Sequence, residues 1–94
     1  MQKNFEIDVD GRAVNFTARS GIARDVGIYE DGAAKPCVVL SESNALERAL
    51  NALVDKEELL DLAILQTVRH GLIERAKQTG EQVHESLVFV PNPG

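Results

Sequence analysis

The sequence predicts an α+β domain in the order ββββααβ, an antiparallel sheet built from two hairpins with two helices packed on one face. Three observations predict it. Two Asp-Gly pairs sit inside alternating apolar and polar runs within the first forty residues, the apolar period becomes helical after Leu40, and a last alternating run follows Gly80. Strands gathered ahead of helices, rather than alternating with them, argue against a parallel α/β fold.

The first hairpin rests on "NFEIDVDGRAVNFTAR". With Asp10-Gly11 as a two-residue loop, Ile7 faces Val14 and Phe5 faces Phe16, while Glu6, Asp8, Asn15 and Thr17 share the other face. The same rule at Asp31-Gly32 sets Val26 opposite Cys37 and Ile28 opposite Lys35, so that Val26, Ile28, Cys37 and Val39 share a face. Pro36 cannot donate to a ladder, so this strand begins at Cys37 or lies at an edge.

Leu46, Ala49, Leu50 and Leu53 recur at helical spacing behind Asn44 and Glu47, a pair that resembles a capping box. A longer helix then runs from an Asp55 cap to a stop at Gly80, with Glu57 and Glu58 at its positive end and Arg75 and Lys77 near its negative end. Leu62, Leu65, Val68, Leu72, Ile73 and Ala76 form one stripe on it, and Leu59, Leu60, Ala63 and Ile64 widen that stripe over the first half. The extra width reads either as a deeply buried half or as a helix shared between the sheet and a partner. "QVHESLVFV" is the last strand, ended by "PNPG". It joins the sheet, the place beside the first strand being one option.

Length and composition bound the class. The chain has 94 residues, 44% hydrophobic and 27% charged, which fits a single compact domain over residues 1–94 with 90–94 as a disordered tail. One cysteine makes no internal disulfide, and neither a leader peptide nor an uninterrupted apolar run of membrane-spanning length is visible. A cytoplasmic, bacterial-type protein with no membrane association is expected. The net charge is −5, and residues 41–94 carry most of it. An acidic chain without tryptophan neither neutralises phosphates well nor offers stacking platforms, so nucleic-acid binding is disfavoured.

No motif carries a known chemistry. Cys37 is expected to fill the core, because a reactive thiol needs a nearby cation or helix start and exposure. His70 and Glu74 have metal-compatible spacing but lack the further ligands a site requires, and "DVDG" at Asp8 lacks the rest of a calcium loop. No catalytic residue, cofactor or metal is therefore expected. Arg12, Arg19 and Arg24 lie at strand ends and are candidates for a small anion-binding rim, against the alternative of solubilising edge charges.

The order of features also resembles a family. Val14 to Ala18 ("VNFTA"), Cys37 on a short strand, Ala45 to Leu50, "VRHGLIERA" at Val68 to Ala76 and "ESLVFV" are similar to the small proteobacterial domain of unknown function numbered 1488. The resemblance implies a compact α+β domain with a packed cysteine, and it implies no activity.

The functional expectation is a non-enzymatic protein-interaction or adaptor domain, its partner an unidentified protein or a second copy of the chain. Its candidate surface is Leu59, Leu60, Ala63, Ile64, Val88 and Val90, drawn from the widened stripe and the last strand. The alternative is a thiol-dependent enzyme or redox protein using Cys37 with His70 or His84.

Overall fold

The computed structural model describes residues 1–21 and 24–88. Five strands and three helices follow one another as β1 (Gln2–Val9), β2 (Arg12–Ser20), β3 (Val26–Glu30), β4 (Val38–Ser41), α1 (Ala45–Asn51), α2 (Lys56–Arg69), α3 (Leu72–Thr79) and β5 (Val83–Ser86). This is the expected α+β class and order, with the long helix divided in two. The sheet order is β1-β2-β3-β4-β5. The last strand lies beside β4 and runs parallel to it, Val38 facing Val83, so the sheet is mixed and not wholly antiparallel. The expected tail at 90–94 lies outside the described residues, as does Val90.

The first hairpin forms in the expected register, Phe5 on Phe16 and Ile7 on Val14. Asp10 and Gly11 both take positive φ, 53° and 79°, as the tight hairpin turn demands. The two phenylalanine rings stack 5.8 Å apart.

The second hairpin differs. Asp31-Gly32 does turn the chain, with Ala33 N–H donating to the Glu30 carbonyl at 2.9 Å. The ladder does not resume directly behind it. Ile28 pairs with Val38 and Val26 with Leu40, three positions later than the two-residue loop requires. An odd shift exchanges the faces of a strand, so Val38 and Leu40 are buried in place of Cys37 and Val39. The physical reason is the larger apolar area of Val38 and Leu40, and it keeps Lys35 out of the core.

Phe16, Ala18, Val26, Ile28, Val38 and Leu40 make the buried face of the sheet. Against it α2 sets Leu59, Leu60 and Ala63, and α3 sets Leu72, Ile73 and Ala76. The opposite face carries polar side chains: Thr17 Oγ1 donates to Asn4 Oδ1 at 2.8 Å, and the Arg19 guanidinium lies 4.7 Å from the centre of the Tyr29 ring.

Each helix starts where its cap dictates. Asn44 Oδ1 accepts from Glu47 N–H at 2.9 Å, and Asp55 Oδ1 accepts from Glu58 N–H at 2.8 Å. Glu47 reaches back to Ser43, accepting from both its N–H and its hydroxyl, and those bonds hold the carboxyl below the usual carboxylate range. The long helix breaks because Gly71 takes φ 59°, a left-handed conformation that stops α2 at His70 and re-aims the chain into α3.

That break separates the residues the apolar stripe had joined. Leu72, Ile73 and Ala76 belong to α3 and are buried, whereas Leu65 and Val68 remain on α2 and stand in solvent. The inner face of α2 is Leu59, Leu60, Ala63 and Thr67. Leu60→Ala is therefore expected to lower stability by about 2–5 kcal/mol, and Leu65→Ala to change it by no more than about 0.5 kcal/mol. Urea unfolding followed by circular dichroism measures both, and equal losses would contradict this placement.

Candidate functional site

The apolar side chains left in solvent are concentrated on two helices. On α1 Leu46 is 69% exposed, Leu53 just past its end is 79% exposed, and Asn51 is the one residue of that helix that is buried. On α2, Leu65 and Val68 are 47% and 52% exposed, with half-buried Leu62 beside them. Val88 is 44% exposed and reaches α2 from the chain leaving the sheet. Its N–H donates to Gln66 Oε1 at 3.2 Å, while Gln66 Nε2 donates to the Ser86 carbonyl at 2.6 Å. One glutamine thus fastens the segment after β5 along the flank of α2.

Two shallow grooves meet on this face, with Leu62 and Leu65 lining both. One, about 200 Å³, continues along Gln66, Arg69, His70 and Val88. The other, about 230 Å³, continues past Val54 to Glu58 and Asp61. The outward face of α2 is consequently apolar at its middle, acidic at its N-terminal end and basic at its C-terminal end. Asp61 is already engaged by Lys3 of β1. Among the described residues Glu58 and Arg69 make no ion pair.

This arrangement corrects the expected surface. Leu59, Leu60 and Ala63 are core residues with no more than 1% exposure. Ile64 is half-buried against the core, and Val88 stays on the surface. Leu65 and Val68 take the place of the buried three. Helical periodicity alone would have found them once the chain was broken at Gly71, because Leu65 lies opposite Leu60, Ala63 and Thr67 on the α2 wheel.

The three arginines do not converge. Arg12 and Arg19 sit at opposite ends of β2 and, an odd number of residues apart, on opposite faces. Arg24 takes φ 62° and turns inward. Its Nη2 donates to the carbonyls of Asn51 at 2.6 Å and Val54 at 3.4 Å, and its Nε lies 3.9 Å from the buried Glu42 carboxylate. It closes the C-terminal end of α1, and Asn51 Nδ2 adds a bond to the Leu87 carbonyl at 3.2 Å. The anion rim is thereby corrected to one structural cap and two separate surface charges.

Cys37 does not face Val26. It stands half-buried just before β4, in a cleft of about 310 Å³ between the β3–β4 loop and the last turn of α3. Phe16, Ile73 and Ala76 form the cleft's apolar wall, and the Lys77–Glu30 ion pair, 2.9 Å, lies at its rim. The thiol donates to the Ile28 carbonyl at 3.4 Å. Burial pushes its pKa above the usual thiol value and outweighs the opposing influence of backbone hydrogen bonds and of Lys77. The end of α3 facing it is the negative end of the helix dipole, which also disfavours a thiolate. Neither histidine lines this cleft: His70 ends α2, and His84 pairs with Val39 in the ladder.

A neutral, shielded thiol has two measurable consequences. Unfolded, it ionises near the ordinary value of about 8.5; folded, it ionises higher. Its contribution is therefore intact at neutral pH and is lost as pH rises through the folded value. Melting temperature between about pH 7 and pH 10 is expected to fall more steeply for the native chain than for Cys37→Ala. Iodoacetamide should label the folded chain more slowly than the urea-unfolded one, and equal rates would contradict the shielding.

No family model, curated protein or solved structure matches the chain, so the reading of this surface rests on its own geometry.

Proposed function

We propose that this is a non-enzymatic protein-interaction domain and that the outward face of α2 is its binding surface. One observation carries the reading: Leu65 stands in solvent with half-buried Leu62 and exposed Val88, where two grooves that end in opposite charges meet, and Val68 is exposed one turn further along α2. Exposing several large aliphatic groups side by side costs about 25 cal/mol for each Å² left in water. Contiguous apolar surface with a polar rim is the usual composition of a protein contact. The geometry at Cys37 does not favour the alternative of a thiol-dependent enzyme, because its thiol is bonded to a carbonyl and its cleft holds no histidine.

The family likeness to domain 1488 belongs with this proposal and adds no activity to it. No helix among the described residues is long and apolar enough to cross a membrane. That agrees with a partner met away from the bilayer, and a cytoplasmic location is part of the same proposal.

Leu65→Asp and Val68→Asp place charge at exposed sites, so each variant should melt within a few degrees of the native chain. Proteins captured by the native chain from its own cell extract, then purified and titrated calorimetrically, are expected to bind Leu65→Asp at least about tenfold more weakly. Partners that bind both variants as tightly as the native chain would overturn the assignment of the surface.

A further inference from the structure

Resting on that reading, we propose that the partner this face fits is a second copy of the chain, docked with the two α2 helices antiparallel across a two-fold axis. The reason is a symmetry in the sequence of the outward face. At 100° per residue, the side of α2 opposite Leu60, Ala63 and Thr67 is formed by Glu58, Leu62, Leu65 and Arg69. Their spacings are four, three and four residues, which read the same in either direction.

An axis placed level with the middle of that series, between positions 63 and 64, maps each member onto a complementary one. Leu62 of one copy meets Leu65 of the other, and Glu58 of one copy meets Arg69 of the other, twice over. An isologous contact requires such self-complementarity. A parallel pairing of the same faces would oppose glutamate to glutamate and arginine to arginine.

Charges within the protomer support this assignment. Glu58 and Arg69 are eleven positions apart on α2, roughly 16 Å along the axis, too far to pair with each other. Neither has an ion-pair partner among the described residues, whereas the flanking groups are satisfied internally, Asp61 by Lys3 and Gln66 by Ser86 and Val88. Val54 beside Glu58 and Val88 beside Arg69 extend the apolar strip at its two ends. Knobs spaced alternately by three and four residues suit two helices crossing at about 20°. A contact centred on one such face lies at the low end of specific interfaces, below about 1,200 Å² in total. Dissociation in the micromolar range is expected, and the pairing is reversible.

Charge exchange tests the geometry with the full chain. Sedimentation velocity from about 1 to 200 μM, a range bracketing a micromolar constant, is expected to show the native chain passing from monomer to dimer. Glu58→Arg and Arg69→Glu should each weaken the dimer about tenfold, since two attractive pairs become repulsive. The double variant, and an equimolar mixture of the two single variants, should recover native affinity. A dimer insensitive to both reversals, or strengthened by either, overturns the antiparallel pairing. A chain that stays monomeric throughout, yet binds another protein through Leu65, overturns self-pairing and leaves the interaction reading standing. A monomer without any Leu65-dependent binding overturns both.

Discussion

Everything in this fold depends on the left-handed turn at Gly71. A five-stranded twisted sheet is too wide for one straight helix to cover, because neighbouring strands rotate by about 20° each. With φ at 59° the chain changes direction between His70 and Leu72. α2 then packs over β1 and β2, and α3 over β4 and β5. Leu60 and Ala63 seal one half of the core and Leu72, Ile73 and Ala76 the other. A residue with a Cβ at Gly71 would carry strain in that conformation, and a continuous helix would swing the second apolar set away from the sheet.

The same turn decides what remains outside. Since α3 serves the far half of the sheet, α2 turns one face to β1 and β2, and Leu65 and Val68 on its other side are left exposed among the described residues. Several polar side chains near this edge are engaged within the chain: Lys3 holds Asp61, Gln66 holds the chain after β5, and Arg24 closes α1. Leu65 and Val68, left exposed beside these engaged groups, are what the fold does not use. The cleft at Cys37 is larger, but its chemistry is that of a packing margin, a neutral thiol beside an ion pair.

Sequence reasoning succeeds here where two signals agree and fails where one is followed alone. At Asp10-Gly11 the turn residues and the apolar alternation demand one register, and that register forms. At Asp31-Gly32 the turn is real but the alternation is poor, and burial of Val38 and Leu40 overrides it by three residues. Asn44, Asp55 and Gly80 all act at the helix ends their chemistry implies. Gly71 was legible as a glycine and not as a break, because leucines continue on both sides of it at helical spacing. From that single continuity came the inversion of inner and outer faces on α2. The position of β5 depends on contacts far apart in the chain, which no local pattern encodes.

The parallel pairing of β5 with β4 has a consequence for how the protein is made. Synthesis runs from the N-terminus, so β1 to β4 can assemble as a local meander while the helices are still emerging. β4 then presents a bare edge, with Val38 and Leu40 awaiting their cover, until more than forty further residues have left the ribosome. At about 5–20 residues per second that interval lasts a few seconds. Throughout it the nascent chain carries an open strand, and only the arrival of Val83 to Ser86 closes it.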